Sequence, residues 1–127
     1  MRPMGDANVL PSAIEEAARR LARATEAESI ILFGSRARGD WRDDSDWDLC
    51  VILPDSVEPG KFTPVTLWPL VSGFGVPIQV YPIRRGIFNE RRGDLNSLSH
   101  DVDRDGVVLF DKQGDRDNEP RRGDVLA

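Results

Sequence analysis

Cysteine and histidine each occur once in this chain, and Lys plus Arg, at 17, fall short of Asp plus Glu, at 22. A single thiol, Cys50, cannot make an intrachain disulfide. Its place inside an apolar run reads as a small buried hydrophobe, so a reducing, cytoplasmic setting is expected. The net charge of −5 argues against a broad nucleic-acid-binding face, which needs an excess of Lys and Arg, and leaves room only for a local basic patch. No apolar stretch approaches the ~20 residues of a membrane span. The opening MRPMGDANVLPSAIEE lacks the charged-then-apolar form of a signal peptide, so no membrane partner is expected. The lone His100 sits on an expected helix, where such a residue is more often surface or helix-end decoration than a catalytic base, and it stands as a minor candidate. At 127 residues there is room for one domain with a real core and none for a second full domain.

What is present falls into alternating helix and strand signals. Ser12 and Glu15 have capping-box spacing, and Ile14, Ala17, Ala18, Leu21 and Ala22 repeat on one face of a first helix. Ser29 to Phe33 reads as a strand buried on both faces and stopped by Gly34, and a second strand runs from about Asp46 to Leu53, ended by Pro54. Thr63-Pro64 starts a short or kinked helix interrupted at Pro69. Val76 to Ile83 alternates as a third strand. Asp94 is the expected cap of a further helix turning Leu95, Leu98 and Val102 inward, with Gly106 as its stop and Val107 to Phe110 as the last strand. The expectation is one domain over 1–111 and a charged, breaker-rich, mobile tail over 112–127.

Between the first two strands lies LFGSRARGDWRDDSDWDLCVIL, residues 32–53, with three arginines and five aspartates between apolar runs. Side chains at i and i+2 of a strand share a face, so Asp46 and Asp48 point the same way with Cα atoms ~7 Å apart, while Trp47 and Leu49 point into the core. Two converging carboxylates repel unless a divalent cation neutralises them. Gly34 lets backbone approach a ligand closely, and a short helix starting near Ser35 would offer free N–H groups and a hydroxyl to phosphate oxygens. Phosphate on one side and carboxylate-bound magnesium on the other describe a nucleoside triphosphate site. Arg36 and Arg38 either contact phosphate or serve as counterions to Asp40, Asp43 and Asp44. Trp41, in the loop, is placed to meet a nucleotide base.

This stretch resembles the minimal nucleotidyltransferases of the DNA polymerase beta superfamily, whose signature is Gly-Ser, ten residues, then Asp-x-Asp. Gly34-Ser35, Arg36 to Ser45, and Asp46-Trp47-Asp48 match it without a gap, and the order of elements agrees over roughly residues 10 to 111. The resemblance implies an α+β fold of the polymerase beta-like kind, a small mixed sheet flanked by helices. It also implies transfer of a nucleoside monophosphate from ATP or another triphosphate to a hydroxyl, with Mg2+ as cofactor. Asp46 and Asp48 are the implied metal ligands and catalytic residues, and Gly34, Ser35, Arg36 and Arg38 the implied nucleotide-binding ones. A third carboxylate commonly comes from the next strand in this family. Gln79, in Ile78-Gln79-Val80-Tyr81, takes that place, which puts the second, acceptor-activating metal in question.

Three readings follow from the resemblance. In the first, the chain is an active adenylyl- or nucleotidyltransferase acting on a protein, as the antitoxin paired with a helical HEPN-type toxin. Alternatively, it is a weakened nucleotide-binding protein that masks such a partner. The third is a small-molecule or RNA nucleotidyltransferase that needs a second subunit for its acceptor. Base preference, acceptor and oligomeric state stay open.

Overall fold

In the computed structural model, residues 10–112 and the backbone of Arg2–Pro3 are described; the charged tail from 113 onward lies outside the described residues. A five-stranded mixed sheet runs in the order β1-β5-β2-β3-β4. Its strands are β1 (Arg2–Pro3), β2 (Ser29–Phe33), β3 (Trp47–Leu53), β4 (Ile78–Arg84) and β5 (Val107–Asp111). β2 pairs antiparallel with both β3 and β5, and β3 pairs parallel with β4. The helices are α1 (Ser12–Thr25), α2 (Ser35–Arg38), α3 (Pro64–Val71), α4 (Arg85–Arg91) and α5 (Leu98–Asp105). A parallel pair needs a crossover, and α3 supplies it between β3 and β4. The expected α+β architecture is therefore the one observed.

The period of two along each strand sorts the core into two layers. Ile30, Leu32, Leu49 and Val51 face α1 and α3, whose Ile14, Leu21, Leu67 and Val71 fill the larger cluster. Ile31, Phe33, Cys50 and Ile52 face the other way, against Phe88 of α4 and Val102 of α5. Each fully buried Ile or Leu contributes about 1.5–3 kcal/mol. Asp48 belongs to the second series, two residues before Cys50 and four before Ile52, at the start of β3, where the series turns from apolar to polar. Fold geometry thus delivers a carboxylate to the rim of the smaller core.

Several local expectations shift. Pro11, not Ser12, is the N-cap of α1, its carbonyl accepting from the N–H of Ile14 and Glu15, and no side-chain cap bond forms. α3 starts at Thr63-Pro64 as expected, with Thr63 and Thr66 reciprocally capping. Helix α4 carried no sequence signal because its cap is not local: the N–H of Gly86 donates to Asp55 Oδ1 at 2.8 Å, from 31 residues away. The cap of α5 is Ser97, accepting from the His100 N–H, rather than Asp94. Asp94 instead closes a turn through Asn96, which leaves Leu95, expected inside, 74% exposed. Gly106 ends α5 as expected, its N–H donating to Val102 O at 2.8 Å.

Candidate active site

The Gly-Ser turn and the carboxylate pair meet at one end of the sheet. β2 runs to Phe33, which pairs with Asp48 on β3, and the chain then turns at Gly34 with φ 82°. That φ is open to glycine at no steric cost. A second constraint is spatial: a Cβ on Gly34 would lie 2.5 Å from Asp48 Oδ2. Only a residue without a side chain brings this turn against that carboxylate. Gly34 is also the N-cap of α2, which starts at Ser35 as expected and closes at Gly39 with φ 96°. The N–H groups of a first helical turn have no acceptor inside the helix.

The loop returning to β3 is fixed by Arg36. Its guanidinium donates to the carbonyls of Ser45 (3.1 and 3.3 Å) and Asp43 (3.3 Å), and it lies over the Trp47 and Trp41 rings at 4.6 and 5.4 Å. The Arg42–Ser45 turn and the Trp47 N–H donated to Pro77 O (2.9 Å) fix the entry to β3. Asp46 directly precedes the strand and is exposed, while Asp48 is half-buried on it. Gln79, exposed on β4, is the register partner of Asp48, so the parallel pairing sets amide and carboxylate side by side. Among the described residues no group of three or more His, Cys, Asp or Glu side chains is gathered in a way that could hold a metal ion.

Electrostatics mark the pair. Burial, and then the neighbouring Asp46 charge, push the Asp48 carboxyl up to about 6, against the smaller opposing pull of Arg38. Tyr81, which meets Phe33 edge-on at 5.3 Å, is raised by burial and then by the charges of Asp48 and Asp46. Arg38 is bound to Asp40 (3.2 Å) and to Asp105 (3.0 Å). Asp105, at the end of α5, also takes two bonds from Arg104, at 2.9 and 3.0 Å. The Arg104 and Arg38 hydrogen bonds hold its carboxyl below the usual range, against the opposing effect of burial. Asp105 carried no signal in the sequence, since a charged residue before a helix-ending glycine reads as surface.

The minor candidate His100 meets the Arg92 carbonyl at 3.1 Å in the α4–α5 connection. A cavity of about 490 Å3 opens at the opposite end of the sheet, among Glu26, Glu28, Pro54, Arg85, Asp111 and Lys112. Its Arg85 is bonded to Glu28 at 2.9 Å, and neither the Gly-Ser turn nor the carboxylate pair reaches it. The clustered chemistry lies elsewhere. No helix among the described residues is long and apolar enough to cross a membrane.

Known proteins bear on this geometry. A solved structure described as a toxin-antitoxin with AMP-PNP is 23% identical, with a TM-score of 0.55 over 81% of this chain and 77% of that one. Another, a protein from Sulfolobus solfataricus assigned as a nucleotidyltransferase, is 22% identical with a TM-score of 0.41 over 85% and 95%. No curated protein matches the chain. The family model described as the nucleotidyltransferase domain matches residues 12–119, which contain every element from α1 to β5, and the chain belongs to that family.

Proposed function

We propose that this chain binds a nucleoside triphosphate with magnesium and transfers the nucleoside monophosphate, AMP by preference, to a hydroxyl of a partner protein. The observation that supports this reading is the closeness of the Asp48 carboxylate to the Gly34 turn, where an added Cβ would lie 2.5 Å from Oδ2. Asp46 and Asp48 would hold the cation, with the amide oxygen of Gln79 as a weaker third donor. The donor set fits a hard divalent ion, and a carboxyl raised to about 6 by burial and a like charge gains from a cation beside it. Bound there, magnesium would neutralise triphosphate oxygens and the leaving pyrophosphate. Ser35 and the first N–H groups of α2 would orient the terminal phosphates. Arg38, held on Asp105, would add positive charge beside them. Arg36 would act by keeping the loop, and hence Asp46, in place. The toxin-antitoxin description of the similar structure supports an antitoxin role with a protein partner, of HEPN type in this reading.

The exposed Gln79 beside Asp48 favours a second reading, in which nucleotide binding is kept, transfer is lost, and the chain neutralises its partner by covering it. Radiolabel on the α-phosphate of ATP separates the two when the chain is incubated with magnesium and its cognate partner. Label on the partner supports transfer. Binding of magnesium-ATP without label, in both the wild type and Gln79→Asp, supports masking. Absence of any magnesium-dependent nucleotide binding overturns both.

A further inference from the structure

The one tyrosine of the chain borders the carboxylate pair and has no role in the proposed function. Tyr81 stands two residues after Gln79 on β4, so both side chains lie on the face that carries Asp48. Its register partner on β3 is Cys50, while Phe33 of β2 is the partner of Asp48. Phe33 and Tyr81 therefore start two strands apart, roughly 10 Å at the usual strand spacing. Their rings nevertheless meet edge-on with centroids 5.3 Å apart, so the two side chains lean together across β3. With the fully buried Cys50 they make an aromatic floor between the acids at the start of β3 and the smaller core.

Packing accounts for the ring and not for the hydroxyl. A phenylalanine would pave the same floor, and a buried tyrosine hydroxyl usually finds a hydrogen-bond partner. Tyr81 is half-buried, and its hydroxyl has no partner among the described residues, bonding neither Asp48 nor Asp46. Both acids still act on it: burial, and then the charges of Asp48 and Asp46, push the phenol up. A donor that feels two acids and bonds neither is placed for an oxygen lying between them.

The order of parts across the sheet selects that oxygen. In the proposed function the terminal phosphates lie at the Gly34-Ser35 turn after β2, and the cation is held from β3. Beyond β2 on the other side, Arg38 and Asp105 close the site just before β5. A triphosphate leading away from the turn then passes the cation and brings its α-phosphate toward β4, where Gln79 and Tyr81 stand. We infer that Tyr81 is a further substrate-contacting residue, its hydroxyl donating to a non-bridging oxygen of the α-phosphate, the group attacked in the transfer. The inference rests on the proposed nucleotide site.

Calorimetry on the full chain with magnesium tests this, because Tyr81→Phe keeps the ring and removes only the donor. The variant should bind magnesium-ATP about tenfold more weakly, the usual size for a hydrogen bond to a charged group. Magnesium-pyrophosphate, which has no α-phosphate, should bind both proteins alike, and the melting temperature should not change. The two α-thio diastereomers of ATP give a second measurement, since sulfur is a weak acceptor. The wild type should bind one of them several-fold more weakly than ATP, and Tyr81→Phe should show a smaller difference. Any cost of sulfur to a magnesium contact is common to both proteins and cancels. Equal ATP affinity in the two proteins overturns the inference and leaves the proposed function standing. So does a loss shared by pyrophosphate, or a thio effect of the same size in both proteins. If the wild type binds no magnesium-ATP, the nucleotide site itself is wrong and the inference falls with it.

Discussion

Two aspartates a short way apart show what the fold does with a half-buried or buried charge. Asp105, with its side chain 6% exposed, receives three hydrogen bonds from Arg104 and Arg38, and its carboxyl is held low. Asp48 is less buried, yet it has an acid, Asp46, as near neighbour and its carboxyl sits at about 6. Arg38 touches both regions, as a direct partner of the first and a distant counterweight in the second. One carboxylate is satisfied by two arginines, and the other faces a like charge; in the proposed function a cation would satisfy it. A titratable group perturbed by burial and a like charge, beside a glycine turn, is a better pointer to a candidate site than burial alone.

The sharpest way to break this contrast is to neutralise each acid in turn. Asp48→Asn should lower magnesium-dependent triphosphate affinity about a hundredfold, or about 2.7 kcal/mol by calorimetry. Its melting temperature without metal should be no lower than that of the wild type, because a repulsion is removed. Asp105→Asn should do the reverse. Loss of a buried, charge-assisted contact should cost about 1.5–2 kcal/mol of unfolding free energy in urea titration, with only a few-fold loss in nucleotide affinity through the loosened Arg38. If both variants destabilise equally, the distinction between the two regions is void.

Gln79→Asp sharpens the contrast by adding a third acid to the unsatisfied side. If weak binding of the second metal limits the reaction, transfer of labelled nucleotide should rise about tenfold, near 1.4 kcal/mol off the barrier. The same variant should melt lower than the wild type in metal-free buffer.

The smallest effect is a pH dependence. Because the folded-state pKa of Asp48 is raised, the native chain binds that proton more tightly than the unfolded chain. The contribution of this group therefore grows as pH falls from 7 toward 5 in metal-free buffer and is lost as pH rises through about 6. Asp105, held low, contributes in the opposite sense: its stabilisation persists above the ordinary carboxylate range and fades only as pH falls below it. Comparing the melting temperatures of Asp48→Asn and the wild type at each pH isolates the contribution of Asp48.

The sequence made the site's skeleton legible where chemistry and spacing are local. Gly34-Ser35, Asp46-Trp47-Asp48 and the strands around them follow from alternation and one glycine, and the place the resemblance implies for Gln79 on the next strand agrees with its register opposite Asp48. The supports were not legible, because they are tertiary. Asp105 reaches Arg38 across 67 positions, Asp55 caps α4 from 31 positions away, and Arg36 binds carbonyls, which no side-chain pattern advertises. Ser97 displaced Asp94 as a cap for a similar reason: its hydroxyl also donates to the Arg91 and Asp94 carbonyls, a geometry set by where α4 ends.

The Arg36 clamp has an outcome for traffic through the site. It fastens the loop through the Asp43 and Ser45 carbonyls and two indole rings, and leaves the Asp43 and Asp44 side chains exposed alongside Asp46. In the proposed reaction those acids would act as a charge filter. The exposed acids would disfavour a bare triphosphate relative to one that already carries its cation. The filter should blur as ionic strength shortens the reach of those charges to the ~10 Å scale and below.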